Sequence, residues 1–271
     1  MPRFQTQDGV ELFYKDWGTG QPVVLLSSWL LNSDMWELQF ASLLGAGYRV
    51  IALDRRGHGR SDQPGGGYDM DTLAADVDAL FRALDLRDAV LVGQSMGGAE
   101  AVRYLSRYGT DRVSRLVGIG ATLPFMEKTD DHPLGGDRCA MLGSIELLSR
   151  DRFAWMEMGL PGFYGDSVPV SPLVQNWLVG MTASCGHRAM VECQRTAAFT
   201  DLRPDLPGIS IPSLLIVGSE DQSTSVELNR EAVGLLPNGR LSVYEGVAHA
   251  LYLTHAERLN EELVGFISER L

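Results

Sequence analysis

Apolar and polar positions change rhythm several times along the chain, and each change predicts a different kind of element. From Val10 to Trp17 apolar and polar side chains alternate before the turn Gly18-Thr19-Gly20. That pattern predicts an antiparallel strand with one solvated face, lying at a sheet edge. Later runs over 22–27, 48–54, 89–93, 116–120 and 213–218 are apolar almost throughout. Such short, continuous apolarity predicts strands buried on both faces of a parallel sheet. Another strand is expected over 240–244. Between the runs the period lengthens: Leu73, Val77, Leu80, Phe81 and Leu84 recur at i, i+4, i+7, i+8 and i+11, a stripe that would face the sheet. Strands alternating with such helices predict an α/β fold with a mostly parallel, doubly wound sheet.

The alternation stops between about Thr122 and Gly208, where Pro, Gly, Met, Trp and Phe accumulate in helix-compatible pieces without a strand signal. Because it resumes at Ser213, the segment reads as a helical cap inserted into one sheet domain. The expected division is a core of residues 1–121 and 209–271 with a cap of 122–208. A chain of 271 residues is compatible with one contiguous core.

Composition narrows the function classes. The chain is 45% apolar and 21% charged, and no stretch approaches the roughly 18–20 uninterrupted apolar residues of a membrane span. The N-terminal residues carry no apolar core of a signal peptide, so a cytoplasmic location is expected. A net charge of −12 would repel phosphate backbones and anionic lipid, which argues against nucleic acid or membrane as partner. Cys139, Cys185 and Cys193 are odd in number and lack CxxC spacing. They are expected to be reduced packing residues, with no metal site.

The strongest chemical signal is Gly93-Gln94-Ser95-Met96-Gly97-Gly98, directly after the strand ending at Val92 and before the helical run from Ala99 to Tyr108. A serine on a tight strand-to-helix turn projects its Oγ above the sheet, and glycines on either side let the chain double back. A hydroxyl is a weak nucleophile at neutral pH and needs an imidazole base oriented by a carboxylate. Asp221, in Gly218-Ser219-Glu220-Asp221, follows a strand end where open α/β sheets place their ligands, with Glu220 as the neighbouring substitute. His249 follows the strand over 240–244 through a short loop. The other histidines fit less well. His58 precedes the serine in a turn it would fix, His132 and His187 fall in the cap, and His255 begins the last helix. Ser95, Asp221 and His249 are therefore expected as nucleophile, acid and base. Met96 at the helix N-terminus and Trp29 after the strand ending at Ser27 are expected to supply oxyanion N–H donors.

With these residues the sequence resembles the α/β-hydrolase superfamily and, within it, the aryl esterase and cofactor-free haloperoxidase (perhydrolase) group. The similarity runs from Phe13-Tyr14-Lys15-Asp16-Trp17-Gly18 through Asp54-Arg55-Arg56-Gly57-His58-Gly59-Arg60-Ser61-Asp62 to Thr254-His255-Ala256-Glu257-Arg258-Leu259-Asn260. The resemblance implies an α/β-hydrolase fold, a triad of Ser95, Asp221 and His249, oxyanion amides of Trp29 and Met96, and no cofactor. The chain departs from the group where Ser27-Ser28-Trp29-Leu30 replaces the usual His-Gly-Trp-Pro. Ser27 would replace part of the lost hydrogen bonding. The missing proline, associated in this group with peracid formation, favours an esterase over a perhydrolase. The serine pair is also similar to that of oxoadipate enol-lactonases. Ala250 and Ser225, where the group often has glycine and proline, are expected to reshape the pocket rim.

Leu30 and the cap residues Phe125, Met126, Met141, Phe153, Trp155, Phe163, Trp177 and Met181 are candidates to line an acyl or aryl pocket. The expected function is cleavage of a small carboxylic ester through an acyl-enzyme. The alternatives are a lactone or enol-lactone hydrolase, a cofactor-free perhydrolase, lyase or oxygenase, and a ligand receptor on the same scaffold. The expected partner is a small ester or lactone, and a homo-oligomer is compatible with the sequence.

Overall fold

A computed structural model describes residues 2–269. Eight strands form one sheet: β1 (Arg3–Gln5), β2 (Glu11–Trp17), β3 (Pro22–Leu26), β4 (Arg49–Leu53), β5 (Ala89–Gln94), β6 (Val113–Ile119), β7 (Ser213–Gly218) and β8 (Gly239–Tyr244), in the order β1-β2-β4-β3-β5-β6-β7-β8. From β4 to β8 all pairings are parallel, while β2 runs antiparallel to both β1 and β4. The strand over Val10–Trp17 is thus not the edge. Three residues, Arg3-Phe4-Gln5, pair outside it, too short a segment to show a period of two. β6 begins before its apolar run because Arg115 is buried within it, its guanidinium donating to the Phe266 carbonyl.

Alternate side chains of the parallel strands enter two cores. Val24, Leu26, Ile51, Leu53 and Leu91 pack with α2 (Met70–Ala83) and α3 (Met96–Tyr108). Val23, Leu25, Val50, Ala52 and Val92 pack with α1 (Glu37–Gly45) and α10 (Ala256–Ser268) on the other face. On α2 the stripe of Leu73, Val77, Leu80 and Phe81 is buried as its spacing requires, and Asp69 caps the helix by accepting from Thr72 N–H.

Between β6 and β7 lie α4 (Arg138–Arg150), α5 (Arg152–Tyr164), α6 (Pro172–Ser184) and α7 (His187–Phe199). Asp137, Asp151 and Ser171 cap the first three with side-chain oxygens. The chain then returns through β7, α8 (Val226–Leu235), β8 and the short α9 (Leu251–Thr254). Among the described residues no helix is long and apolar enough to cross a membrane.

Candidate active site

The turn between β5 and α3 holds Ser95 at φ 54°, ψ −121°, a left-handed backbone that a non-glycine residue adopts at a cost of about 1–3 kcal/mol. Two close approaches over-determine it. A Cβ on Gly93 would lie 2.3 Å from the Gly97 carbonyl carbon, and one on Gly97 would lie 2.3 Å from the Leu26 carbonyl oxygen. Glycine at both positions lets β5 and α3 meet at this angle and leaves Ser95 partly exposed on the wall of a cavity.

Asp221 and His249 come from loops after β7 and β8. His249 Nδ1 stands 2.7 Å from Asp221 Oδ2, and both residues are buried. The carboxylate is itself fixed: Oδ1 accepts from the Ser223 and Thr224 backbone N–H groups at 2.8 and 2.9 Å, and Oδ2 accepts from the Thr224 hydroxyl at 3.1 Å. Because Nδ1 donates to a carboxylate, Nε2 carries the free lone pair of the neutral ring. Gly120, at φ +48°, lies behind the pair. A Cβ there would meet Asp221 Oδ2 at 3.0 Å and His249 Nδ1 at 3.1 Å. Glu220 instead uses its backbone N–H on the Val247 carbonyl and takes no part in this contact.

Among the described residues, the backbone N–H groups of Trp29 and Met96 meet no acceptor in the protein, and both residues line the cavity beside Ser95. Their loop is braced differently from the expectation. The Ser27 hydroxyl is buried without a hydrogen-bond partner, so it replaces none of the lost bonding. The loop is held by Arg55. Its guanidinium donates to the Ser27 and Ser28 carbonyls at 2.7 and 3.3 Å and pairs with Glu100 on α3. The Trp29 indole N–H donates to the Met190 carbonyl on α7 at 2.9 Å, and its ring meets Trp155 edge-on at 5.0 Å. Leu30 has φ +71°, a value closed to proline, so this loop follows a backbone that the usual Pro could not take.

The remaining histidines serve the scaffold. Burial, then the nearby Arg55 guanidinium, push the His58 imidazole down to about 3, and the neutral ring hydrogen-bonds the Arg56 carbonyl through Nδ1. His132 Nε2 bonds the Phe125 carbonyl and His187 Nε2 the Ser149 carbonyl, while His255 precedes α10. Burial also raises the Cys185 thiol to about 12 and the Cys193 thiol further, as expected of packing residues. Cys139 departs from that expectation: it is exposed on α4.

The cavity, about 400 Å³, lies between the strand ends and α5–α7. Of the expected lining residues, Leu30, Trp155 and Phe163 reach it, whereas Phe125, Phe153, Trp177 and Met181 do not. Helix face and position along the helix together explain the split. On α5 Trp155, Met156, Gly159, Leu160, Gly162 and Phe163 line the cavity, whereas Phe153, in the first turn and one heptad before Leu160, falls short of it and is 58% exposed. On α6 Leu178 and Thr182 face the cavity, while Trp177 and Met181, one residue earlier in the same i, i+4 spacing, pack only into the adjoining core, which Leu178 also enters. Phe125 is held by His132 and stacks under Arg203. Met126 and Met141 also lie elsewhere, as do Ala250 and Ser225. Ala250 is buried at the start of α9, and Ser225 caps α8. Gly120, Arg55 and Gln194 escaped the sequence reading because each matters through a contact distant in sequence, and Thr224, only three residues from Asp221, because no local pattern marks its hydroxyl as a partner.

An α/β-hydrolase fold model matches residues 21–140. The chain is 41% identical to a non-heme haloperoxidase of Rhodococcus erythropolis over 98% of this chain and 99% of that one. It is 38% identical to the bifunctional esterase/perhydrolase of Acinetobacter calcoaceticus, covering 97% and 98%. An esterase structure from Exiguobacterium antarcticum superposes with TM-score 0.95 at 32% identity, covering 98% and 99%. The chain belongs to the α/β-hydrolase family and, within it, to the non-heme haloperoxidase and perhydrolase group.

Proposed function

We propose that this protein is a serine hydrolase cleaving a small carboxylic ester through an acyl-enzyme. Ser95 Oγ attacks the ester carbonyl carbon and its proton passes to His249 Nε2, while Asp221 holds Nδ1–H and stabilises the imidazolium. The Trp29 and Met96 N–H groups receive the oxyanion. His249 then returns the proton to the leaving alkoxide, and water, activated by the same ring, hydrolyses the acyl group. The observation that carries this reading is the convergence on one cavity of a serine on a strained turn, two unpaired N–H groups and a carboxylate-oriented imidazole.

Esterase and perhydrolase are both found among the relatives. The left-handed Leu30 supports the esterase reading, because it sets the donor loop in a backbone incompatible with the proline associated with peracid formation. The test is turnover of nitrophenyl acetate and intact mass after a fluorophosphonate probe. The wild type should hydrolyse the ester and gain one phosphonyl adduct, and Ser95→Ala should do neither. Wild-type turnover retained by the alanine variant would overturn the assignment.

A further inference from the structure

His249 Nε2 is engaged by a residue that the proposed mechanism does not use. Among the described residues, Ser95 Oγ makes no hydrogen bond to it. Instead Gln94 Nε2 lies 3.3 Å from His249 Nε2 and 3.4 Å from the His249 carbonyl oxygen. Gln94 is fully buried, and its Oε1 has no partner. The orientation of the amide follows from its neighbours: an NH2 group can donate both to a carbonyl and to an imine nitrogen, whereas Oε1 in the same place would face the carbonyl oxygen. With Nδ1–H committed to Asp221, Nε2 has a single lone pair, and the Gln94 amide lies within hydrogen-bond distance of that nitrogen.

We propose that Gln94 is a positioning residue that competes with Ser95 for the His249 Nε2 lone pair and so restrains the nucleophile in the resting site. This rests on the serine-hydrolase reading. When Ser95 attacks, its proton goes to Nε2, and the Gln94 N–H must give way because an imidazolium Nε2–H no longer accepts. The residue therefore stabilises the state before proton transfer and not the one after it. Gln94 is not on the cavity wall, so its effect falls on the chemical step and not on substrate binding.

The test follows the rate at which a fluorophosphonate labels Ser95, a step in which Oγ bonds to phosphorus, fluoride leaves and the Oγ proton passes to His249. Gln94→Leu removes the competing donor and the orphaned Oε1 together. It is expected to raise the labelling rate and the acylation-limited kcat by about 2- to 10-fold, the span set by the net worth of one hydrogen bond, at constant KM. Gln94→Glu puts an acceptor beside Nε2 that traps the protonated ring, and it should slow labelling. A packing defect would slow both variants, so opposite signs separate competition from a structural role. The ¹⁵N signal of His249 Nε2 should also move in Gln94→Leu as its hydrogen bond is lost. Should Gln94→Leu not fold, Gln94→Met removes the same donor. A folded Leu or Met variant that labels at or below the wild-type rate overturns the inference. A wild type that takes up no label overturns the hydrolase reading itself, a separate result.

Discussion

The strand-end loops and the helices above them enclose one cavity but are held by different means. On the sheet side each working group is over-determined. Asp221 accepts four hydrogen bonds, Gly120 leaves no room behind the His249–Asp221 pair, and Arg55 ties the Trp29 loop to the helix that follows Ser95. On the helical side the wall is a matter of which face each helix turns inward, with apolar side chains in van der Waals contact and few directional bonds. Directional contacts fix atoms to fractions of an ångström, as chemistry requires, whereas apolar contacts set volume and shape. Substitutions on the two sides should therefore fail differently: sheet-side changes in kcat, helix-side changes in the choice of substrate.

The largest effect is expected from Asp221→Asn, which keeps the size of the side chain but no longer holds the Nδ1–H tautomer. Ester turnover should drop by about 10⁴-fold with little change in melting temperature. A loss under tenfold would show that the carboxylate does not orient the base. Next comes Gly120→Ala. Its methyl presses on Asp221 Oδ2 and His249 Nδ1 in a left-handed backbone, and kcat should drop by about 100-fold as the pair is displaced. Steady-state kinetics on nitrophenyl acetate reads this directly.

On the helical side, Leu178→Ala enlarges the cavity and should shift the ratio of kcat/KM between a short and a longer acyl ester by about 10-fold or more. Phe153→Ala, exposed in the first turn of α5 and short of the cavity, should leave that ratio unchanged; a comparable shift there would mean that the extent of the cavity is assigned wrongly. The smallest effect concerns stability. His58 is held neutral in the fold, so between pH 6.5 and about 3 the unfolded chain binds a proton that the native chain does not. Its contribution is complete above pH 6.5 and declines on acidification by up to about 1.4 kcal/mol per pH unit. Denaturant midpoints measured from pH 7 to pH 5 should fall less steeply in His58→Gln than in the wild type.

The same division governs what could be read from the chain. Strands buried on both faces betray themselves by unbroken apolar runs, and the serine turn by its glycines, because in both cases local sterics dictate the residue type. β1 was invisible because three residues carry no period, and the buried Arg115 hid the start of β6. The aromatic residues between β6 and β7 signalled apolar contact without its direction. Trp177 and Leu178 differ by one position and about 100° around α6, and the helix's rotation against its neighbours decides which of them meets the cavity.

The sequence by itself determined the alternating α/β framework, the serine turn, and the loops from which Asp221 and His249 come, since hydrophobic period and turn chemistry are local properties. Only the tertiary structure decided which side chains form the cavity wall, that Arg55 and not Ser27 braces the Trp29 loop, that Gly120 backs the His249–Asp221 pair, and that Gln94 lies against His249 Nε2. Each of those contacts joins residues far apart in the chain. Their distances follow from how strands, helices and loops pack together, which no local pattern encodes.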